Sequence, residues 1–165
     1  MTEALAIREK HDGALADRSS VRLWLRLLSC TMAIEKEVQR RFAARGATLA
    51  RFDVLAALDR HPAGMNMGAL SRALLVSNGN ATQLVQKLAK DGLVRMRTDP
   101  GDRRASIVRL TAKGRAEFGG LAAAHHDWID ALIADMDGGG RESLYHALGD
   151  LKRAIAKGQA DGSKP

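Results

Sequence analysis

The chain lacks most of what a secreted, membrane-bound or catalytic protein needs. Its 165 residues include one cysteine, Cys30. An internal disulfide is therefore excluded, and a reducing compartment fits. No apolar run approaches the ~18 residues of a membrane span. The opening stretch "MTEALAIREKHDG" carries Glu3, Glu9 and Asp12 and has no apolar signal-peptide core. A cytoplasmic protein that does not engage membranes is expected. Aromatics are scarce, at three Phe, two Trp and one Tyr, as suits a helical protein built on Leu and Ala. There is no GxSxG, GxGxxG or HExxH motif. About 50 residues follow the last turn motif described below, too few for a catalytic domain. No catalytic residue, enzyme activity or cofactor is expected.

What is present is helix punctuated by turns. Residues 1–18 read as a tail. Residues 19–46 form a long helix with Ser19 or Ser20 as its cap and Gly46 at its end. Val21, Trp24, Leu25, Leu28, Met32, Val38 and Phe42 form one broad stripe, while Leu23, Leu27 and Ile34 fall off it. Apolar residues on more than one face suggest an oligomer. "TLARFDVLAALDRHP" gives a shorter helix and "AGMNM" a tight connection. "GALSRALLVS" and "SNGNATQLVQKLAKDGLV" give two more helices, the second capped by Ser77 and closed by Gly92. "LVRMRT" and "ASIVRLT" alternate as strands around a Pro100-Gly101 turn. Thr111 caps a helix carrying Phe118, Leu121, His125, Trp128, Leu132 and Met136. Gly138 to Gly140 break it, and a last helix follows with Leu144, Leu148, Leu151 and Ile155 in register.

This order predicts a mainly α fold with a small β-hairpin wing. A winged helix-turn-helix over residues 47–110 is flanked by N- and C-terminal dimerisation helices over 19–46 and 111–158. Residues 159–165 read as a disordered tail.

Acid is missing where it matters most. In the second short helix Ala81, Leu84, Val85 and Leu88 repeat as i, i+3, i+4, i+7 and face the domain. The opposite face offers Asn78, Asn80, Thr82, Gln83, Gln86, Lys87 and Lys90, with no Asp or Glu. Asn and Gln can pair with an adenine edge, Thr can touch a thymine methyl, and Lys can meet guanine or phosphate. The first half of such a helix is the part that reaches bases. The competing reading is a polar solvent face, but solvated helices usually mix Glu with Lys. Charge supports DNA. The whole chain carries a formal +7. Residues 86–115 hold nine basic side chains against Asp91, Asp99 and Asp102, a net +6, which is the electrostatic footprint of phosphate binding.

Residues 65–114, "MNMGALSRALLVSNGNATQLVQKLAKDGLVRMRTDPGDRRASIVRLTAKG", resemble the MarR family of bacterial transcription regulators. The resemblance rests on "LVQKLAKDGLV", the wing "DPGDRR" and the closing "LTAKG". It implies a homodimer with intertwined terminal helices, a palindromic double-stranded DNA operator and release by a small effector. The expected function is a ligand-responsive repressor. The alternative is a winged-helix protein–protein module without sequence-specific DNA binding. DNA contacts are expected from Ser77, Asn78, Asn80, Thr82, Gln83, Gln86, Lys87, Arg103 and Arg104. The family's Asp-x-Arg wing motif falls on Asp102 and Arg104, which assigns Asp102 to holding the wing turn.

For the effector, the resemblance implies a site between dimer helices and winged domain, often for aromatic carboxylates. Arg22 and Arg26, four apart beside Trp24 and Trp128, suit an aromatic acid or its coenzyme A thioester. A solvated arginine face with core tryptophans is the competing reading. Cys30 sits about five residues from the place of the cysteine in the family's peroxide-sensing branch and reads as a packed thiol. His125 and His126 point about 100° apart on a helix, and no His-x₃-His pairing exists, so no metal site is expected.

Overall fold

A computed structural model describes residues 19–98, 101 and 106–161, with the backbone alone at Asp161. The order is α1 (Ser19–Ala44), α2 (Leu49–Asp59), β1 (Met65–Asn66), α3 (Met67–Leu74), α4 (Asn78–Lys90), β2 (Val94–Thr98), β3 (Ser106–Leu110), α5 (Ala112–Leu132) and α6 (Gly138–Asp161). The expected fold class is observed: mostly helix, with a small antiparallel sheet. The described residues divide into two compact units, one running to Trp128 and the other starting at Ile129.

In the first unit each short helix starts on a side-chain cap. Thr48 Oγ1 accepts from Arg51 N, Asn66 Oδ1 from Ala69 N, and Ser77 Oγ from Asn80 N. Gly92 ends α4 at φ +75°, a left-handed position that glycine adopts without Cβ strain. The turn between α3 and α4 passes through Leu75, also left-handed at φ 55°. The fully buried Val54, Leu55, Leu70, Val85, Leu93 and Val108 form one core, in which α2, α3 and α4 meet the sheet.

The sheet has three strands in the order β1-β3-β2. Met65 pairs with Val108 and Asn66 with Ile107. The sequence reading of residues 63–67 as a plain connection is therefore corrected. Two residues have too short a period for a strand signal, and they are held by the β3 edge rather than by their own pattern.

Around α1 and α5 an aromatic cluster forms. Phe42 lies 5.0 Å from Phe52 and 5.1 Å from Trp128, centroid to centroid, and His125 sits 5.8 Å from Phe42 and 4.8 Å from Phe52. Of the α1 stripe, Leu25, Val38 and Phe42 are buried, whereas Val21, Trp24 and Met32 are exposed.

In the second unit, α6 starts at Gly138 because Asp137 Oδ1 accepts from Gly140 N at 2.6 Å. The Gly-Gly-Gly run expected to separate two helices is thus the first turn of α6, a correction that follows from this cap. The helix also extends to Asp161, past residue 158, where the sequence suggested an end. Leu144, Tyr145, Leu148 and Ile155 are exposed along it.

Candidate nucleic-acid interface

The face expected to meet DNA is carried by α4. Ala81, Val85 and Leu88 are buried and pin one face to the core. Asn78, Asn80, Gln83, Gln86, Lys87 and Lys90 are exposed on the other, and Thr82 is half-buried. Thr82 Oγ1 donates to Asn78 O at 2.7 Å, which turns its hydroxyl back onto the helix and leaves its methyl for an outside contact. Ser71, the buried polar residue of α3, donates from Oγ to Asn78 Oδ1. That bond ties the two helices together and engages the Asn78 carbonyl. Asn80, Gln83 and Gln86 are the other exposed amide side chains of this face.

The far end of α4 is clamped. Arg51 of α2 meets Asp91 at 2.8 Å and Glu117 of α5 at 2.8 Å. Lys113 Nζ donates to Asp91 O at 2.9 Å. The sequence showed these residues only as scattered charges. No local pattern links residue 51 to residues 91 and 117, so the clamp becomes visible only after folding.

The wing is the β2–β3 hairpin. Val94 faces Leu110 and Met96 faces Val108 on its core side; Arg95 faces Arg109 and Arg97 faces Ile107 on the other. Asp102, Arg103 and Arg104 lie outside the described residues, so their assigned contacts rest on the sequence.

The residues expected to meet an effector divide. Arg22 and Arg26 line a hollow of about 220 Å³ with Ser19 and Leu23. Trp24 is 59% exposed. Trp128 does not join them. It stands against Phe42, with the Arg45 guanidinium 5.4 Å above its ring. Phe42 is 18 residues along α1 from Trp24, roughly 27 Å of helix. The expectation that both tryptophans flank the arginines is corrected by that distance. Cys30 is exposed rather than packed, which corrects its expected place. Among the described residues no cluster of three His, Cys, Asp or Glu side chains could hold a metal. His125 instead belongs to the aromatic cluster. Burial pushes its imidazole below the ordinary value, against the opposing pull of Asp53. Burial pushes the Asp53 carboxyl up, opposed by His125 and Arg60.

The family model for MarR matches residues 45–105, which span α2 to the wing. The transcriptional activatory protein BadR of Rhodopseudomonas palustris is 38% identical over 96 residues, covering 57% of this chain and 55% of BadR. The chain thus matches about half the length of that relative. The HTH-type transcriptional repressor YetL of Bacillus subtilis is 26% identical over 136 residues, covering 82% of this chain and 81% of YetL. A MarR family transcriptional regulator of known structure from Silicibacter pomeroyi is 29% identical with a TM-score of 0.73. The alignment covers 87% of this chain and 99% of that one. The family match includes "LVQKLAKDGLV" and "DPGDRR" and ends before "LTAKG".

Proposed function

This chain belongs to the MarR family of DNA-binding transcription regulators, and we propose that it acts as a cytoplasmic homodimer. In this reading it represses transcription from a palindromic operator until a small effector releases it. The observation that carries the reading is the acid-free exposed face of α4, fixed by Ser77 and Ser71 at one end and Arg51 at the other, beside a basic wing. An α-helix so presented fits the major groove. Ser77, Asn78, Asn80, Thr82, Gln83, Gln86 and Lys87 supply its contacts. Arg104 reaches the minor groove, Arg103 meets groove or phosphate, and Asp102 holds the turn and orients Arg104.

Dimerisation is supported by Leu144, Tyr145, Leu148 and Ile155 on α6 and by Val21, Leu23, Trp24, Met32 and Ile34 on α1, all exposed in the single chain. Solvated apolar surface on this scale marks an interface. Repression follows YetL, which aligns with most of the chain, rather than BadR, which aligns with 57% of it. The hollow of Arg22 and Arg26 suits an anionic effector, an aromatic carboxylate or its coenzyme A thioester. A ligand favouring a dimer with misplaced recognition helices weakens operator affinity by linkage.

Selection from a random duplex library tests the core of this reading. Recovery of an inverted repeat with half-sites about one helical turn, ~10 base pairs, apart is expected. A chain that enriches no sequence would be a protein-binding winged helix instead. Charge introduced at Leu148 and Leu151 should give monomers that lose operator affinity. Titrating the protein–operator complex with benzoate-type acids and their coenzyme A thioesters should release DNA from wild type. Arg22→Ala and Arg26→Ala should bind DNA yet resist release.

A further inference from the structure

The outer face of the wing carries a cluster that recognition by α4 leaves unused. Arg95 and Arg109 stand directly opposite one another across β2 and β3, and Arg97 is opposite Ile107. Directly opposed side chains share a face, with β-carbons about 4.5–5.5 Å apart, and like charges so placed destabilise a sheet. The three arginines, with Thr98 and Ile107, line one hollow of about 150 Å³. Among the described residues no carboxylate pairs with any of the three, although ion pairs occur elsewhere at Arg40, Arg41, Arg51 and Arg153. Arg109 is also held in place, because its Nε donates to Ala63 O at 2.6 Å. This bond spends one donor and leaves the terminal nitrogens of a fixed guanidinium available. Guarding the exposed β2 edge would explain one charge. It does not explain three of one sign gathered round a hollow.

We propose that this face is a second DNA-phosphate site, which grips the duplex outside the sequence read by α4. The inference rests on the DNA-binding reading above and extends it. Its direction follows from the strand alternation. Val94, Val108 and Leu110 point into the core shared with α2 and α4, so the arginines point away from the recognition helix. With α4 in the major groove and the wing along the next minor groove, that face looks outward, toward flanking DNA. The ligand is the phosphodiester backbone. Arginine contacts of this kind raise affinity without reading sequence.

The test compares wild type with Arg95→Ala/Arg97→Ala and with Arg95→Lys/Arg97→Lys. The probes are the selected operator as a minimal duplex of about 20 base pairs and the same duplex lengthened by about one turn at each end. Two arginines in each of two subunits give four ionic contacts. On the long duplex the alanine variant should therefore flatten the log K against log salt slope by roughly 3 to 4. On the minimal duplex it should match wild type, and the lysine variant should recover most of the slope. Thermal melts equal to wild type establish that folding is intact. An unchanged slope on the long duplex overturns the proposal, and so does an equal loss on both lengths. Saturable binding of inorganic phosphate to the wild type that the alanine variant lacks would assign the hollow to a small anion and overturn it too. If wild type selects no operator, the DNA-binding reading itself fails. If wild type binds and the variants are indifferent to flank length, only this inference fails.

Discussion

Gly114 lies against the carbonyl of Leu93 so closely that a Cβ on it would stand 2.0 Å from Leu93 O. That contact explains the glycine of "LTAKG". Thr111 N donates to the same carbonyl at 2.9 Å, and Thr111 Oγ1 accepts from Gly114 N at 3.0 Å. The first turn of α5 is thereby seated on the link between α4 and the wing. Gly114→Ala should force the two apart and lower stability by at least about 1–3 kcal/mol, the usual range for overpacking. Urea unfolding measures it, and an unchanged midpoint would remove the contact from the account.

Arg51 joins α2 to the C-terminal end of α4 and to α5 through Asp91 and Glu117. The three side chains are partly solvated, so the direct loss in Arg51→Ala should be about 1 kcal/mol of stability. Operator affinity should fall by more than stability does, because the variant frees the end of the helix that presents Gln86 and Lys87. Fluorescence anisotropy with operator DNA checks this. A variant with wild-type affinity would show that α4 holds its angle without the clamp.

Base reading should separate by residue. Alanine at Asn80, Gln83, Gln86 or Lys87 should each cost about 1–3 kcal/mol on the operator where the residue meets a base, and little on random DNA. Asn78→Ala should behave differently, since Ser71 Oγ loses its link to α4 and keeps only Gly68 O, within α3, at 3.1 Å. A lower melting temperature is expected for that variant alone. Equal operator-to-random ratios across all the variants would rule out α4 as the reading helix.

His125 should make stability fall as acid is added. Burial among Phe42 and Phe52 holds its folded pKa below the ordinary 6.5. Above that value both states are neutral and the full stability is present. As pH falls through 6.5 the unfolded chain takes the proton first, so stability declines until the folded pKa is passed. Asp53 has the opposite sign, its raised pKa favouring the fold below its ordinary 3.8, in a lower window. His126 opposes protonation of His125, and Asp53 supports it. Wild type should lose stability between pH 7.5 and 5.5, and His125→Phe, which keeps the ring packing, should lose less. Parallel curves for the two proteins would show that His125 does not contribute.

Much of this protein can be read along the chain, because its decisive signals are local. A helix cap needs one oxygen three residues before an amide, as at Ser77 and Thr111. An apolar period of three and four, as at Ala81, Leu84, Val85 and Leu88, declares which face of α4 is buried and so which is open. A left-handed stop needs only a glycine such as Gly92. The order of helices and hairpin then restricts the fold to a winged helix. What remained out of reach depends on residues far apart in sequence meeting in space. The strand at Met65–Asn66 exists because β3 offers it an edge. Trp128 left the arginines of α1 for Phe42 because edge-to-face ring packing outweighs a pattern on a helical wheel. The Arg51 clamp and the opposed Arg95 and Arg109 are likewise products of packing and strand register. Propensity acts over a few residues, whereas charge pairing and ring contact act across whatever the folded chain brings together.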